Sequence, residues 1–131
     1  MLDKREMLNS WVLVLIWMAV IFTLSSIPGD RLPKILSFDI SLLAHALEYG
    51  LLGALIMNAL RNSNLRLSLP GLVMLAVTLT ALFAISDEIH QYFVPNRLTD
   101  MGDFLADILS SFAGAIFYTA KITSFKNPHQ I

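Results

Sequence analysis

The sequence WVLVLIWMAVIFTL, from Trp11 to Leu24, contains no charged residue. Together with the residues before it, this run approaches the ~20 apolar residues that a helix needs to cross the hydrocarbon core of a bilayer. Trp11 and Trp17 suit a membrane interface, the depth at which indole rings are enriched. Basic residues precede the run, as they do in a cleavable signal peptide, but SSIP at residues 25–28 lacks a small-residue cleavage site of the A-x-A kind. We therefore expect a retained first transmembrane helix.

Three further apolar segments follow, separated by residues that end helices. Pro28, Gly29 and Pro33 interrupt the chain after the first segment. Ser68 is a suitable N-cap for the third helix, with Pro70 in its first turn. The predicted fold class is all-α, an integral membrane bundle of four transmembrane helices that forms one domain over residues 1–131. The predicted helices cover residues 8–25, 42–60, 69–86 and 103–122.

Small residues recur at a spacing of four in three of these segments. Such rows let a neighbouring helix backbone approach closely, so we expect each row to face another helix. The three rows are Ala46, Gly50 and Ala54, then Ala76, Thr80 and Ala84, then Ala106, Ser110 and Gly114.

The composition agrees with a protein that lies largely within a membrane. Of its 131 residues, 56% are hydrophobic and 15% are charged, and the mean hydropathy is +0.66. Soluble domains carry about 25% charged residues. The net charge of −1 gives no indication of a nucleic-acid partner. Given the hydropathy, membrane lipids are the expected surroundings. The absence of cysteine excludes disulfides, thiolate metal sites and cysteine nucleophiles.

The basic residues predict the orientation in the membrane. Four spans place both termini on one side, which also carries most of the Lys and Arg residues. By the positive-inside rule the termini are cytoplasmic and the other side faces outward. The basic residues on the side of the termini are Lys4, Arg5, Arg61, Arg66, Lys121 and Lys126, and those on the other side are Arg31, Lys34 and Arg97.

A polar stretch, SDEIHQYFVPNRLTDMGDFLAD at residues 86–107, separates the third and fourth apolar segments. It is either a solvated loop or part of a site. The predicted topology brings its acids to the same membrane depth as His45 and Glu48, which lie three residues apart on one face of the second helix. Ionisable residues at membrane depth are costly, and they persist mainly where they are paired or functional. We therefore predict one outward-facing polar pocket, with Glu48 and Asp87 at its floor.

Each predicted member of the pocket has a candidate role. General acid–base chemistry needs a carboxylate beside a histidine, with Glu48 or Asp87 as base and His45 or His90 as proton partner. The candidate catalytic residues are His45, Glu48, Asp87, Glu88, His90 and Asp103. The candidate substrate-binding residues are Tyr49, Gln91 and Arg97, the last as a holder of an anionic head group. Asp107 could point into the same cavity.

Several of these residues also have a simpler reading. Asp100 with Asp103 fits a variant capping box at the start of the fourth helix. Arg97 pairs with Glu88 or touches lipid phosphate, and His45 hydrogen-bonds Glu48 to offset its burial. Two histidines and several carboxylates match the ligands of Zn²⁺ or Mn²⁺. Their spacing is not that of a known zinc motif, so we assign no metal and leave any cofactor unknown.

Four blocks of the chain resemble the VanZ-like family of small bacterial membrane proteins. The blocks are SSIP at 25–28, HALEYGLLG at 45–53, SDEIHQYFVPNR at 86–97 and DFLAD at 103–107. Three positions depart from the family pattern: Asn96 and Ser110 replace glycines, and Asp107 replaces an asparagine. Asn tolerates positive φ, so we expect the turn at Asn96 to survive.

The resemblance implies a protein of the cell envelope. The founding member of the family is linked to resistance to teicoplanin, a lipid-tailed glycopeptide that acts on the cell wall. We keep three hypotheses: an enzyme acting on an envelope lipid or lipid-linked glycan, a non-catalytic binder of a lipid or lipopeptide, and a small transporter subunit. Four short helices leave little room for a pore, so the third hypothesis requires an oligomer, a state that the sequence does not reveal.

Overall fold

A computed structural model describes residues 4–32, 38–97 and 101–126, and within these the chain is a bundle of four helices. The helices are α1 (Lys4–Ser25), α2 (Phe38–Arg61), α3 (Leu69–Tyr92) and α4 (Met101–Lys126). A single 3-10 turn, Gly29–Arg31, follows α1. All four helices contain a segment long and apolar enough to cross a membrane. The predicted all-α membrane bundle is confirmed.

The helices extend beyond the predicted apolar segments, because a helix can continue through polar residues. The predicted end of α3 at residue 86 is wrong, since the helix continues to Tyr92 through a polar stretch without glycine or proline. The helix α2 begins at Phe38, and its predicted span from residue 42 agrees with the membrane-spanning segment Leu42–Arg61. The prediction for Ser68 is confirmed: its hydroxyl accepts from the Gly71 N–H at 3.3 Å, and Pro70 lies in the first turn.

The exposure of the side chains is inverted relative to a soluble protein. Large apolar residues face outward on every helix, for example Leu15, Leu47, Met74 and Phe117, the last with 70% of its surface exposed. Polar side chains lie inside, among them Asp107, which is 1% exposed. Since large exposed apolar surfaces are unfavourable in water and buried carboxylates require partners, this surface suits lipid and the polar interior suits a site.

The helix α2 lies at the centre and packs against all three others, most extensively against α4. A Cβ added at Gly114 would lie 1.9 Å from the Gly50 carbonyl oxygen, and one at Gly53 would lie 2.3 Å from the Ser111 carbonyl oxygen. These distances are impossible for real side chains. The Gly50 row of α2 and the Gly114 row of α4 therefore meet backbone to backbone, as the spacing predicts.

The helix α1 is attached to α2 by hydrogen bonds along its length. The indole N–H of Trp11 donates to the Ser63 hydroxyl and that of Trp17 to the Glu48 carbonyl, each at 2.9 Å. Near the chain's N-terminus, the Asn62 amide donates to the Ser10 hydroxyl at 2.7 Å. These contacts place the start of α1 beside the end of α2, so the two helices run in opposite directions.

Candidate functional site at one end of the bundle

The end of α1, the first half of α2, the end of α3 and the start of α4 meet at the same end of the bundle. Three side-chain contacts join these four segments, and in each contact the two residues are more than thirty positions apart in the sequence. Ser25 and Tyr49 both reach Asp87, and His45 reaches Asp107. Most of the residues predicted to form the pocket are therefore brought together here, and we call this region the polar end.

Asp87 is a buried carboxylate that binds groups from three helices. It accepts hydrogen bonds from the Ser25 hydroxyl at 2.5 Å, the Tyr49 hydroxyl at 3.2 Å and the Gln91 amide at 2.9 Å. An ionised carboxylate has about four acceptor positions, so most of its capacity is used. Asp87 is 2% exposed. Its buried charge is stabilised by these donors, and the carboxylate in turn fixes α1, α2 and α3 relative to one another.

His45 pairs with Asp107 across the interface of α2 and α4. Nδ1 of His45 lies 3.2 Å from Oδ1 of Asp107, and both side chains are buried. The rings of His45 and Tyr49 are nearly parallel, at 2°, with centroids 6.2 Å apart. The hydrogen bond expected between His45 and Glu48 is replaced by this one, because Asp107 of α4 occupies the position facing the imidazole.

Glu48 differs from the two buried acids because its carboxylate receives no hydrogen bond from the rest of the described chain. It is half-buried and lies within electrostatic range of His45, Asp87, Asp107 and Arg97. Glu88 and Asp103 are also half-buried. Both lie within range of the His45–Asp107 pair. The polar end thus contains hydrogen-bonded carboxylates inside and carboxylates open to a ligand around them.

Arg97 follows a turn that is fixed against the end of α1. Asn96 adopts a positive φ of 59°, which confirms that the turn survives without the family's glycine. The Gly29 N–H donates to the Pro95 carbonyl at 3.1 Å, and a Cβ at Gly29 would collide with the Asn96 carbonyl. Nε of Arg97 is buried and has no hydrogen-bond partner among the described residues. Within residues 4–32, 38–97 and 101–126 there is no Arg97–Glu88 ion pair.

His90 turns toward α1. Its Nε2 lies 2.9 Å from the Ser26 hydroxyl, and its ring stacks on Phe22 with centroids 4.1 Å apart. The same hydroxyl lies 2.6 Å from the Phe22 carbonyl oxygen. Since a hydroxyl has one proton, donation to that carbonyl requires Nε2–H of His90 to donate to Ser26, which leaves Nδ1 as the acceptor.

No three His, Asp or Glu side chains of the described residues come close enough to share a metal ion. Asp100, predicted to cap α4, lies outside the described residues. Asp103 is in the first turn of α4, where an acid also suits the helix dipole.

A family model described as VanZ/LLP1 matches residues 10–123, which is most of the chain. The chain belongs to the VanZ/LLP1 family. The suspected relationship to the VanZ-like proteins is therefore confirmed, and the match includes every residue of the polar end described above. No curated protein and no solved structure matches this chain.

In this VanZ/LLP1 protein the structure also identifies residues that the sequence reasoning left out of the site. Ser25 and Ser26 contact predicted members directly. Asp107, which the sequence reasoning placed in the same cavity without a role, contacts His45. The serines could have been found from their place in the SSIP block, where a polar pair ends an apolar helix. Tyr49 and Gln91, predicted to touch a ligand, are buried and bond Asp87. This arrangement favours a positioning role for both.

Proposed function

We propose that the polar end faces outward, binds an envelope lipid or a lipid-linked glycan, and acts on its head group by general acid–base catalysis. The observation that carries this proposal is Glu48, a half-buried carboxylate at membrane depth without a hydrogen bond from another described residue. An ionisable group in that position is costly unless it has a partner. A ligand that brings a hydroxyl or a water molecule supplies one.

Residues near Glu48 supply the proton donor and the anion-binding group of the proposed reaction. Glu48 acts as the base that removes a proton from the attacking hydroxyl or water. His45, oriented by its contact with Asp107, returns a proton to the departing oxygen. Arg97, with a buried Nε that lacks a partner among the described residues, holds an anionic group such as a phosphate, because a guanidinium offers several donors in one plane.

The distribution of basic residues supports an outward-facing polar end. The start of α1 and the end of α4 lie at the opposite end of the bundle from the Ser25–Asp87 contact, and the helix ends and the loop there carry most of the Lys and Arg residues. By the positive-inside rule that end is cytoplasmic. The head groups within reach are then those of the outer leaflet, where lipid-linked glycans and lipoglycopeptide antibiotics are also found.

Binding without turnover is the second candidate, and the same pocket would serve it. Transport through a single copy is less well supported. Leu52, Ile56 and Met57 of α2 are buried between the polar end and the Asn58 network at the opposite end. These apolar side chains lie between the two polar regions of the described chain, which disfavours the passage of a charged solute along α2.

The experiment that tests catalysis is turnover by the purified protein. We would incubate it with envelope lipids of a bacterium that carries the gene and follow the loss of each lipid class by mass spectrometry. Removal of a general base lowers rates by about 10²–10⁴-fold, so Glu48→Gln should slow turnover at least a hundredfold. The control is Asp30→Asn, which removes an exposed carboxylate on the same side. Stoichiometric binding with no lipid consumed would refute catalysis and leave the binding function.

A further inference from the structure

An open groove of about 520 Å³ runs between the end of α3 and the start of α4 on the outside of the bundle. Ile85, Ile89 and Tyr92 form one wall, and Phe93, Met101 and Phe104 complete it. Its size falls within the ~300–1,000 Å³ of small-molecule pockets. Because Ile89 and Met101 are exposed and belong to membrane-spanning segments, the groove opens toward lipid chains.

Among the described residues, Glu88 is the one ionisable side chain that lines this groove. Its carboxylate is half-buried and receives no hydrogen bond from the described part of the chain. It also lies within electrostatic range of Asp87, Asp103 and Asp107, and of His45. The groove therefore combines apolar walls with the carboxyl group of Glu88 at its polar side.

A second groove on the side of the bundle has apolar walls but lacks the carboxyl group that the α3–α4 groove contains. It is lined by Ile16, Ala19, Val20, Thr23 and Leu24 of α1, has a volume of about 390 Å³ and contains no ionisable side chain. Both grooves can accommodate a hydrocarbon chain, since both face the lipid. The α3–α4 groove differs in offering a carboxylate to the head of the molecule that occupies it.

We infer that the α3–α4 groove holds one hydrocarbon chain of a phospholipid whose head group carries a primary ammonium, with that ammonium against Glu88. An ammonium and a carboxylate form a charge-assisted hydrogen bond, which is roughly twice as strong as a neutral one. The apolar walls take the chain without a desolvation cost. The inference rests on the proposed function in one respect, that the polar end receives a lipid head group.

Native mass spectrometry of the detergent-purified protein tests this inference. The protein is titrated with phosphatidylethanolamine, phosphatidylcholine and phosphatidylglycerol of identical chains. A charge-assisted hydrogen bond contributes enough to change affinity about tenfold. We expect phosphatidylethanolamine to bind about tenfold more tightly than phosphatidylglycerol. Phosphatidylcholine, whose quaternary ammonium is cationic but has no N–H, should lie between them. Equal binding of all three by the wild-type protein would overturn the inference without any variant.

Two variants test the residues. Glu88→Gln should remove the preference for phosphatidylethanolamine while leaving phosphatidylglycerol binding unchanged. Ile89→Trp, which fills the slot, should weaken both at least fivefold. The matched control is Val20→Trp in the α1 groove, which should change neither. A preference that survives Glu88→Gln, or equal effects of the two tryptophans, would contradict the assignment.

The result of the lipid-binding test can be distinguished from the result of the turnover test. If Glu48→Gln abolishes turnover while the lipids bind equally, the groove assignment alone fails. If phosphatidylethanolamine is preferred through Glu88 but no lipid is consumed, the catalytic proposal alone fails.

Discussion

The hydroxyl of Ser25, the last residue of α1, donates a 2.5 Å hydrogen bond to Asp87, a buried carboxylate near the end of α3. The two residues are 62 positions apart in sequence. The same end of α1 also meets α3 where His90 stacks on Phe22 and contacts Ser26. Together with the Tyr49 hydroxyl from α2, the Ser25 bond joins three helices beneath the candidate site.

Loss of the Ser25 hydroxyl should therefore destabilise the bundle. Ser25→Ala leaves Asp87 short of one donor, and an unsatisfied buried acceptor costs about 1–3 kcal/mol. The measurement is unfolding in detergent followed by circular dichroism. Thr23→Val is the control, because it removes an exposed hydroxyl that bonds only within α1, and it should change stability by less than about 0.5 kcal/mol. Equal effects of the two substitutions would show that the Asp87 contact is not a stabilising one.

Tyr49→Phe removes the second donor to Asp87 and leaves the aromatic packing against Phe83 in place. We expect a loss of the same order, about 1–3 kcal/mol. Because Ser25 and Tyr49 share one partner, their effects should not add. A double variant whose loss equals the sum of the single losses, measured in the same unfolding experiment, would indicate that the two hydroxyls act independently.

The four segments could be predicted from sequence because the thickness of the bilayer sets the length of an apolar run. The depth of the polar residues followed from the order of the spans, which is why His45, Glu48 and Asp87 were grouped correctly at one end of the bundle. Helix ends were less predictable, since α3 continues through polar residues to Tyr92. Hydropathy changes there while the backbone stays helical.

The hydrogen-bond partners of the polar residues could not be predicted from the sequence. A spacing of three or four identifies one face of a helix, but the register between two helices depends on how closely their backbones approach. Here Gly114 packs on the Gly50 carbonyl, and that contact sets Asp107 opposite His45 in place of Glu48. The hydrogen bond of Ser25 depends likewise on the tilt of α1.

The backbone contact between α2 and α4 should be sensitive to a single methyl group. Gly114→Ala would place a Cβ 1.9 Å from the Gly50 carbonyl oxygen, so the helices must separate, at a cost of about 1–3 kcal/mol or more. The larger Gly50→Leu should block the approach from the other side. Both are measured as a lower unfolding temperature in detergent.

A glycine outside this interface provides the control. A Cβ at Gly71 would lie 3.4 Å from the Ser68 hydroxyl, which is ordinary contact. Gly71→Ala should therefore leave stability unchanged or raise it slightly, since alanine favours helix. Normal stability of Gly114→Ala would mean that α2 and α4 are further apart than described.

The orientation can be tested by labelling because the chain contains no cysteine. Asp30 and Arg66 are exposed at opposite ends of the bundle. In intact cells a membrane-impermeant maleimide should react with Asp30→Cys and spare Arg66→Cys until the cells are permeabilised. A reporter fused after Gln130 should report a cytoplasmic terminus. The reverse labelling pattern would place the polar end in the cytoplasm and remove the outer leaflet as the source of its lipid.

Asp107 offers the sharpest test of how this chain departs from the family pattern, in which asparagine is usual at that position. Asp107→Asn keeps an oxygen that can accept from Nδ1–H of His45, so the contact at 3.2 Å should persist and turnover should stay within about tenfold. Asp107→Leu has a similar branched shape, with a larger volume, but no acceptor, and leaves a buried imidazole without its partner, which should cost about 1–3 kcal/mol and lower turnover further. Stability is read from unfolding in detergent and turnover from the lipid assay. If Asp107→Asn were as damaging as Asp107→Leu, the charge on Asp107 and not its hydrogen bond would be what His45 requires, and this chain would use a different proton partner from relatives that carry asparagine.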